Sequence, residues 1–243
     1  MLRSGRWARL WTILRAIVVV LIGAAVVRQL IQSVSGAAGD GRDVATTVVN
    51  FFSFFTVLSN VGTVIVLTWA VVWFFTTRDA SPEPRPLAIA IAAVSTYIIV
   101  TGIVYNLLLR GIALPQGLTV PWSNEILHVV GPLFLLADVF FAPHRRLLRW
   151  RAIGEIVIFP IVWVVYTLIR GPLTVNPVTG SPWWYPYPFL DPNLPGGYGR
   201  VVAYVAAISI AIAAVAAFVV WMTRRRGSLA VAQARAAPEP AAG

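Results

Sequence analysis

Two residues of this chain have the chemistry of a nucleophile and its base, Thr56 and His128. Thr56 lies in Asn50-Phe-Phe-Ser-Phe-Phe-Thr-Val-Leu-Ser-Asn-Val-Gly62, near the start of a long apolar run. Steps of three and four residues return to one side of a helix. Ser53, Thr56, Asn60 and Thr63 therefore make one polar stripe, and Phe51, Phe52, Phe54 and Phe55 fill much of the remaining surface. A threonine hydroxyl attacks only when an adjacent base takes its proton. A histidine kept dry stays neutral and can accept that proton. Glu125, one turn before His128 on the same face, is placed to orient the imidazole. Asn60, Asn106 and Tyr105 are candidate stabilisers of an oxyanion, and the sequence does not choose among them. The chemistry such parts would perform is acyl transfer.

Other chemistries are excluded or unsupported. The chain has no cysteine, hence no disulfide, thiolate metal site or cysteine nucleophile. Neither G-x-S-x-G nor H-E-x-x-H occurs, and no metal or cofactor is expected.

The elements that must hold these residues are membrane spans. Of 243 residues, 58% are hydrophobic and only 12% charged, roughly half the charged fraction of a soluble domain. About twenty apolar residues cross a bilayer, and six runs qualify: about 10–31, 47–75, 87–109, 124–141, 154–169 and 200–222. The expectation is an all-α, six-span bundle over 1–222, followed by a disordered tail over 223–243. The N-terminal run also has the make-up of a cleavable signal peptide, but Arg15 and Arg28 bracket it as snorkelling residues do. Ser123 is the expected N-cap of span four. Pro160 interrupts span five, and the loop over 170–199 is rich in Trp, Tyr and Pro.

The net charge of +10 follows the spans and does not indicate a nucleic-acid partner. With the N-terminus inside, thirteen arginines fall on inner segments and four on outer ones, so both termini are expected in the cytoplasm. Arginine to the exclusion of lysine, with abundant Ala and Val, fits a GC-rich genome and a bacterial plasma membrane.

At about 1.5 Å per residue, Thr56 and His128 each lie about five residues above the middle of their spans, in the outer half of the bilayer. Tyr105, Asn106 and Tyr166 share that zone. Asp138 lies deeper and should pair with the basic loop at 143–151. Singly, each polar residue has an ordinary reading. Threonines in membrane helices bond back to their own carbonyls, and Asn or His residues join helices together. The set at one depth is what points to a site.

These residues also carry a resemblance. Phe54-Phe-Thr56, His128 followed by Pro132 and Phe134, and Trp184-Tyr-Pro-Tyr-Pro-Phe-Leu-Asp191 occur in the order used by the androgen-induced membrane protein family, the ADTRP-like lipid hydrolases. The chain resembles that family over roughly residues 10–222. The resemblance implies hydrolysis of fatty acid esters of hydroxy fatty acids or similar lipid esters, with Thr56 as nucleophile and His128 as base. Two alternatives stay open: a transporter of small solutes or lipids, and a non-catalytic membrane scaffold.

Overall fold

The computed structural model describes residues 5–77, 82–112 and 119–236, with side chains up to Arg226. Among the described residues all regular structure is helical. Six helices or helix pairs are long and apolar enough to cross a membrane, as the runs of apolar residues predict. The chain is a multi-pass helical membrane protein.

Helix α1 (Gly5–Gly39) is longer than its apolar run at both ends. It packs into the bundle through Ile22 and Ala25, both fully buried. The short α2 (Val44–Phe51) is capped by Asp43, whose carboxylate accepts the N–H groups of Ala45 and Thr46. Helices α3 (Phe55–Thr76) and α4 (Arg85–Val104) follow, and α4 runs into a π-helical turn, Tyr105–Leu109. The fourth span is α5 (Pro121–Glu125), a π turn over Ile126–Val130, and α6 (Gly131–Phe141). Helix α7 (Ala152–Arg170) carries Pro160 inside it. Helix α8 (Gly197–Ala236) continues 14 residues beyond the expected end at Met222, so the stretch 223–236 is helical and the tail over 237–243 lies outside the described residues.

Two local expectations are corrected. Span four starts at Pro121, and Ser123 is not its cap. The Ser123 hydroxyl donates instead to the Ala25 carbonyl of α1, 2.7 Å away. Arg15 does not snorkel. It is 5% exposed and donates from Nε to Asp138 at 2.8 Å, because a guanidinium inside apolar surroundings needs a carboxylate. His144, in the basic loop, packs against Trp73 and Phe74.

The third difference shapes the site. The run 47–75 is not one helix. It breaks at Phe52-Ser53-Phe54 between α2 and α3, with neither Gly nor Pro to break it. Backbone groups freed in an apolar slab must find partners, and side chains from elsewhere supply them. Trp163 Nε1 donates to the Ser53 carbonyl at 3.0 Å. The Ser53 hydroxyl lies 2.8 Å from the Val49 carbonyl and 3.0 Å from the Tyr166 hydroxyl. Arg170 donates to Asn50 Oδ1, and Tyr187 meets the first turn of α3.

The aromatic-proline loop is expected as a layer over the bundle mouth. Instead it enters the bundle, and Trp184, Tyr185, Tyr187, Phe189 and Leu190 are buried. Gly171 makes room for it, since a Cβ there would lie 2.1 Å from the Tyr185 ring. Arg200 ties the loop down by donating to the carbonyls of Pro188 and Asp191.

Candidate functional site

A cavity of about 330 Å³ opens beside the break, walled by the start of α3, the end of α4, α7, α8 and the 171–196 loop. Most of its wall is apolar, with Phe55, Val104, Leu109, Ile161 and Ile208 among the lining residues. The polar exceptions are Thr56, Thr101, Tyr105, Tyr187 and Ser209. Ile161 on α7 and Ser209 on α8 belong to this wall and are also exposed. The cavity therefore reaches the lipid-facing surface between these two helices.

Thr56 lies in the wall of this cavity. The break puts it in the first turn of α3 and not in mid-helix. Its hydroxyl lies 3.2 Å from the Tyr187 hydroxyl, and its N–H donates to the same oxygen at 3.2 Å. The N–H groups of a first helical turn have no intrahelical acceptor, and Phe54, the N-cap, offers no side-chain bond. Tyr187 fills that role from a distant loop. Burial pushes its phenol above the ordinary tyrosine range, against the pull of its bonds to Thr56, so the hydroxyl keeps its proton.

His128 lies in the π turn of the fourth span, and Tyr105 in the π turn that ends α4. Their rings stack, with centroids 3.8 Å apart and planes at 26°. π turns re-aim side chains relative to a regular helix and recur at functional sites. The approach depends on Gly102, where a Cβ would lie 2.6 Å from Pro132. Asn106 joins the two turns, donating to the carbonyls of Gly102 and His128 at 2.8 and 3.1 Å. The Asn124 side chain donates to the Tyr105 hydroxyl at 2.5 Å.

His128 Nδ1 lies 2.9 Å from the Asn124 carbonyl. A carbonyl only accepts, so Nδ1 carries the proton and the neutral ring presents Nε2 as the base. The orienting group is thus a backbone carbonyl and not Glu125. The Glu125 carboxylate is held by Arg110, Oε1 and Oε2 at 3.0 and 3.1 Å from the two terminal nitrogens.

The candidates are only partly brought together. Tyr105 is the shared member, lining the cavity with Thr56 and stacking on His128. No hydrogen bond joins Thr56 to His128 among the described residues, and His128 is not part of the cavity wall. Asn60 donates to the Thr56 carbonyl at 2.8 Å. Its Oδ1 is buried without a hydrogen-bond partner, near the Gly131 backbone. Asn106 is committed to carbonyls. Of the four supporting candidates, only Tyr105 reaches the cavity.

Sequence reasoning missed Tyr187 and Thr101. The Tyr-Pro-Tyr-Pro pattern marks an unusual loop but does not say which ring points inward. Thr101 is 4% exposed, and its hydroxyl has no partner, whereas Thr63, Thr96 and Thr167 each bond to the carbonyl four residues back. Among the described residues no group of three or more His, Cys, Asp or Glu is arranged to hold a metal. Set against protein-family models, curated proteins and solved structures, the chain finds no match.

Proposed function

We propose that this chain is a membrane-embedded hydrolase of lipid esters, with Thr56 as nucleophile and His128 as base. The carrying observation is a threonine hydroxyl in the wall of a mostly apolar, 330 Å³ cavity that reaches the lipid-facing surface. A methylene takes roughly the room of a water, about 30 Å³, so the cavity suits an acyl chain of about ten carbons entering between α7 and α8. Fatty acid esters of hydroxy fatty acids are one such substrate class. The Nδ1–H tautomer leaves His128 Nε2 ready to take a proton. Its lack of a direct bond to Thr56 is compatible with the role, because catalytic hydrogen bonds in free enzymes are commonly long and tighten only with substrate. The transporter alternative needs a path continuing toward Asp138. That carboxylate is instead held by Trp11, Arg15 and Arg145, which favours the hydrolase reading. We further propose cytoplasmic termini and a bacterial plasma membrane.

The test uses purified full-length protein in detergent, with p-nitrophenyl decanoate for turnover and a fluorophosphonate for covalent labelling. Thr56→Ala and His128→Ala each should abolish both. Labelling and turnover at wild-type level in both variants would end the reading.

A further inference from the structure

We propose that the turn between α6 and α7, together with the end of α8, binds the headgroup of an anionic phospholipid. Arg149 and Arg151 are its charge contacts, and Leu147 and Trp150 seat it at the edge of the hydrocarbon. None of these residues lines the cavity, and the site does not rest on the hydrolase reading.

Exposed apolar side chains within a span face lipid chains and need no other account. Leu147 and Trp150 are different, because α6 ends at Phe141 and α7 begins at Ala152. Both lie in the connection, yet they are 50% and 49% exposed. Trp221, near the end of α8, is exposed as well. Tryptophan rings collect where hydrocarbon gives way to headgroups, since they offer an apolar body and an N–H.

The connection is held in one shape. Leu148 is buried, its N–H donates to Thr223 Oγ1 at 3.2 Å, and its carbonyl accepts from Arg224 at 3.2 Å. The N–H groups of Ala152, Ile153 and Gly154 donate to the carbonyls of Arg149, Trp150 and Arg151. Residues 147 and 149–151 are thereby presented outward from a bonded backbone. The Arg224 guanidinium lies over the Trp150 ring at 5.5 Å, and that of Arg225 over the Trp221 ring at 5.2 Å. The turn and the end of α8 therefore form one surface that mixes aromatic rings with cations.

Charge decides what this surface takes. Among the described residues, Arg149 and Arg151 are exposed and have neither an ion-pair partner nor a hydrogen-bond acceptor. The described carboxylates at this end are engaged elsewhere. Glu83 and Asp138 are buried against Arg15 and Arg145, and Glu155 holds Arg85 at 2.5 Å. Surplus guanidiniums beside apolar rings fit a phosphodiester with net negative charge, because a guanidinium can meet two phosphate oxygens at once. A zwitterionic headgroup brings its own cation to the same place, and the arginines repel it.

The experiment titrates full-length protein in maltoside detergent with dioctanoyl phosphatidylglycerol and, separately, dioctanoyl phosphatidylcholine, and reads binding by native mass spectrometry. Phosphatidylglycerol should bind at least about 25-fold more tightly, about fivefold for each of the two arginines. Arg149→Gln with Arg151→Gln should remove that preference and leave phosphatidylcholine binding unchanged. Leu147→Ser with Trp150→Ser should weaken both lipids. Arg28→Gln with Arg42→Gln removes the same net charge at the far end of α1 and should leave the preference intact. If the Gln pair loses both lipids alike, as a misfolded protein would, Arg149→Lys with Arg151→Lys decides. A preference kept by the Lys pair supports the charge contacts, and its loss overturns them. Equal affinity of the wild type for the two lipids overturns the proposal. So does a Gln pair that keeps the preference, or a far-end pair that loses it, since net charge and not this surface would then be at work.

Discussion

Two groups of buried polar residues lie at opposite ends of this bundle, and they are built on opposite principles. At the end where α1 starts and α6 stops, Asp138 is fully buried and held by Trp11, Arg15 and Arg145. Glu83 lies beside it, 3.6 Å from Arg15 and 3.9 Å from Arg145. Arg15 and Arg145 face the two carboxylates, Arg226 is close enough to feel both, and the cavity beside the break is lined by none of Asp138, Glu83, Arg15 or Arg145. At the other end, Thr56, Thr101, Tyr105 and Tyr187 line a cavity of about 330 Å³. A group whose charges face one another and whose space is filled fastens helices together. A group that faces a void is arranged for something that arrives. Polarity at membrane depth does not by itself mark function; polar groups beside space do.

The sharpest way to break this contrast is at Asp138. Removing the carboxylate strands Arg15 and Arg145 among buried neighbours. Losing one partner of a buried ion pair costs about 3–5 kcal/mol. Asp138→Ala should therefore lose about that much stability in detergent unfolding. The double variant Arg15→Met with Asp138→Leu keeps the Glu83–Arg145 pair and removes both other charges, so it should be more stable than Asp138→Ala. A single variant as stable as wild type would mean that the cluster is hydrated and free to do something else.

The cavity end predicts the reverse pattern, little change in stability and a large change in selectivity. Val205 lies in the wall on α8. Val205→Trp should shorten the space for a chain. Turnover of a decanoate ester should fall about tenfold or more relative to an acetate ester, with unfolding shifted by at most about 1–3 kcal/mol. Equal losses for both esters would show that the chain does not lie in this cavity.

Much of this was legible in sequence, and the limits have physical causes. The spans are legible because an apolar slab demands runs of fixed length. Asp138 could be paired with the basic loop because arginine and carboxylate at one end of a span have few other partners, and Arg145 does hold it. The second partner, Arg15, was not legible, since a charge near the start of an apolar run looks like an interfacial anchor until the facing helix is known. Thr56 and Tyr105 could be placed at one depth by counting residues. The break before Thr56 could not, because nothing in Phe52-Ser53-Phe54 opposes a helix. Its cause lies in Trp163, Tyr166 and Tyr187, each more than a hundred residues away. Glu125 failed as the partner of His128 for a related reason. The π turn redirects the ring toward the Asn124 carbonyl, and regular helix spacing does not apply across it.

The smallest effect concerns the approach to the break. Asp43 caps α2 by accepting N–H bonds from Thr46 at 2.9 Å and Ala45 at 3.2 Å. Bonding to Thr46 holds its carboxyl below the ordinary carboxylate range. A carboxyl with a lower pKa folded than unfolded contributes stability above the unfolded value, about 4, and loses it as pH falls through the folded value. Asp43→Ala should thus unfold at a slightly lower temperature than wild type at pH 7, with the gap closing as the pH drops below about 4. Asp43→Asn keeps an uncharged cap and should keep its stability relative to Asp43→Ala at every pH. The cap is solvent-exposed, so the shifts are small, but the sign is fixed. A gap between wild type and Asp43→Ala that widens in acid would mean that the α2 terminus is held by something other than this carboxylate, and the anchoring of the break would have to be sought in Arg170 and Asn50 alone.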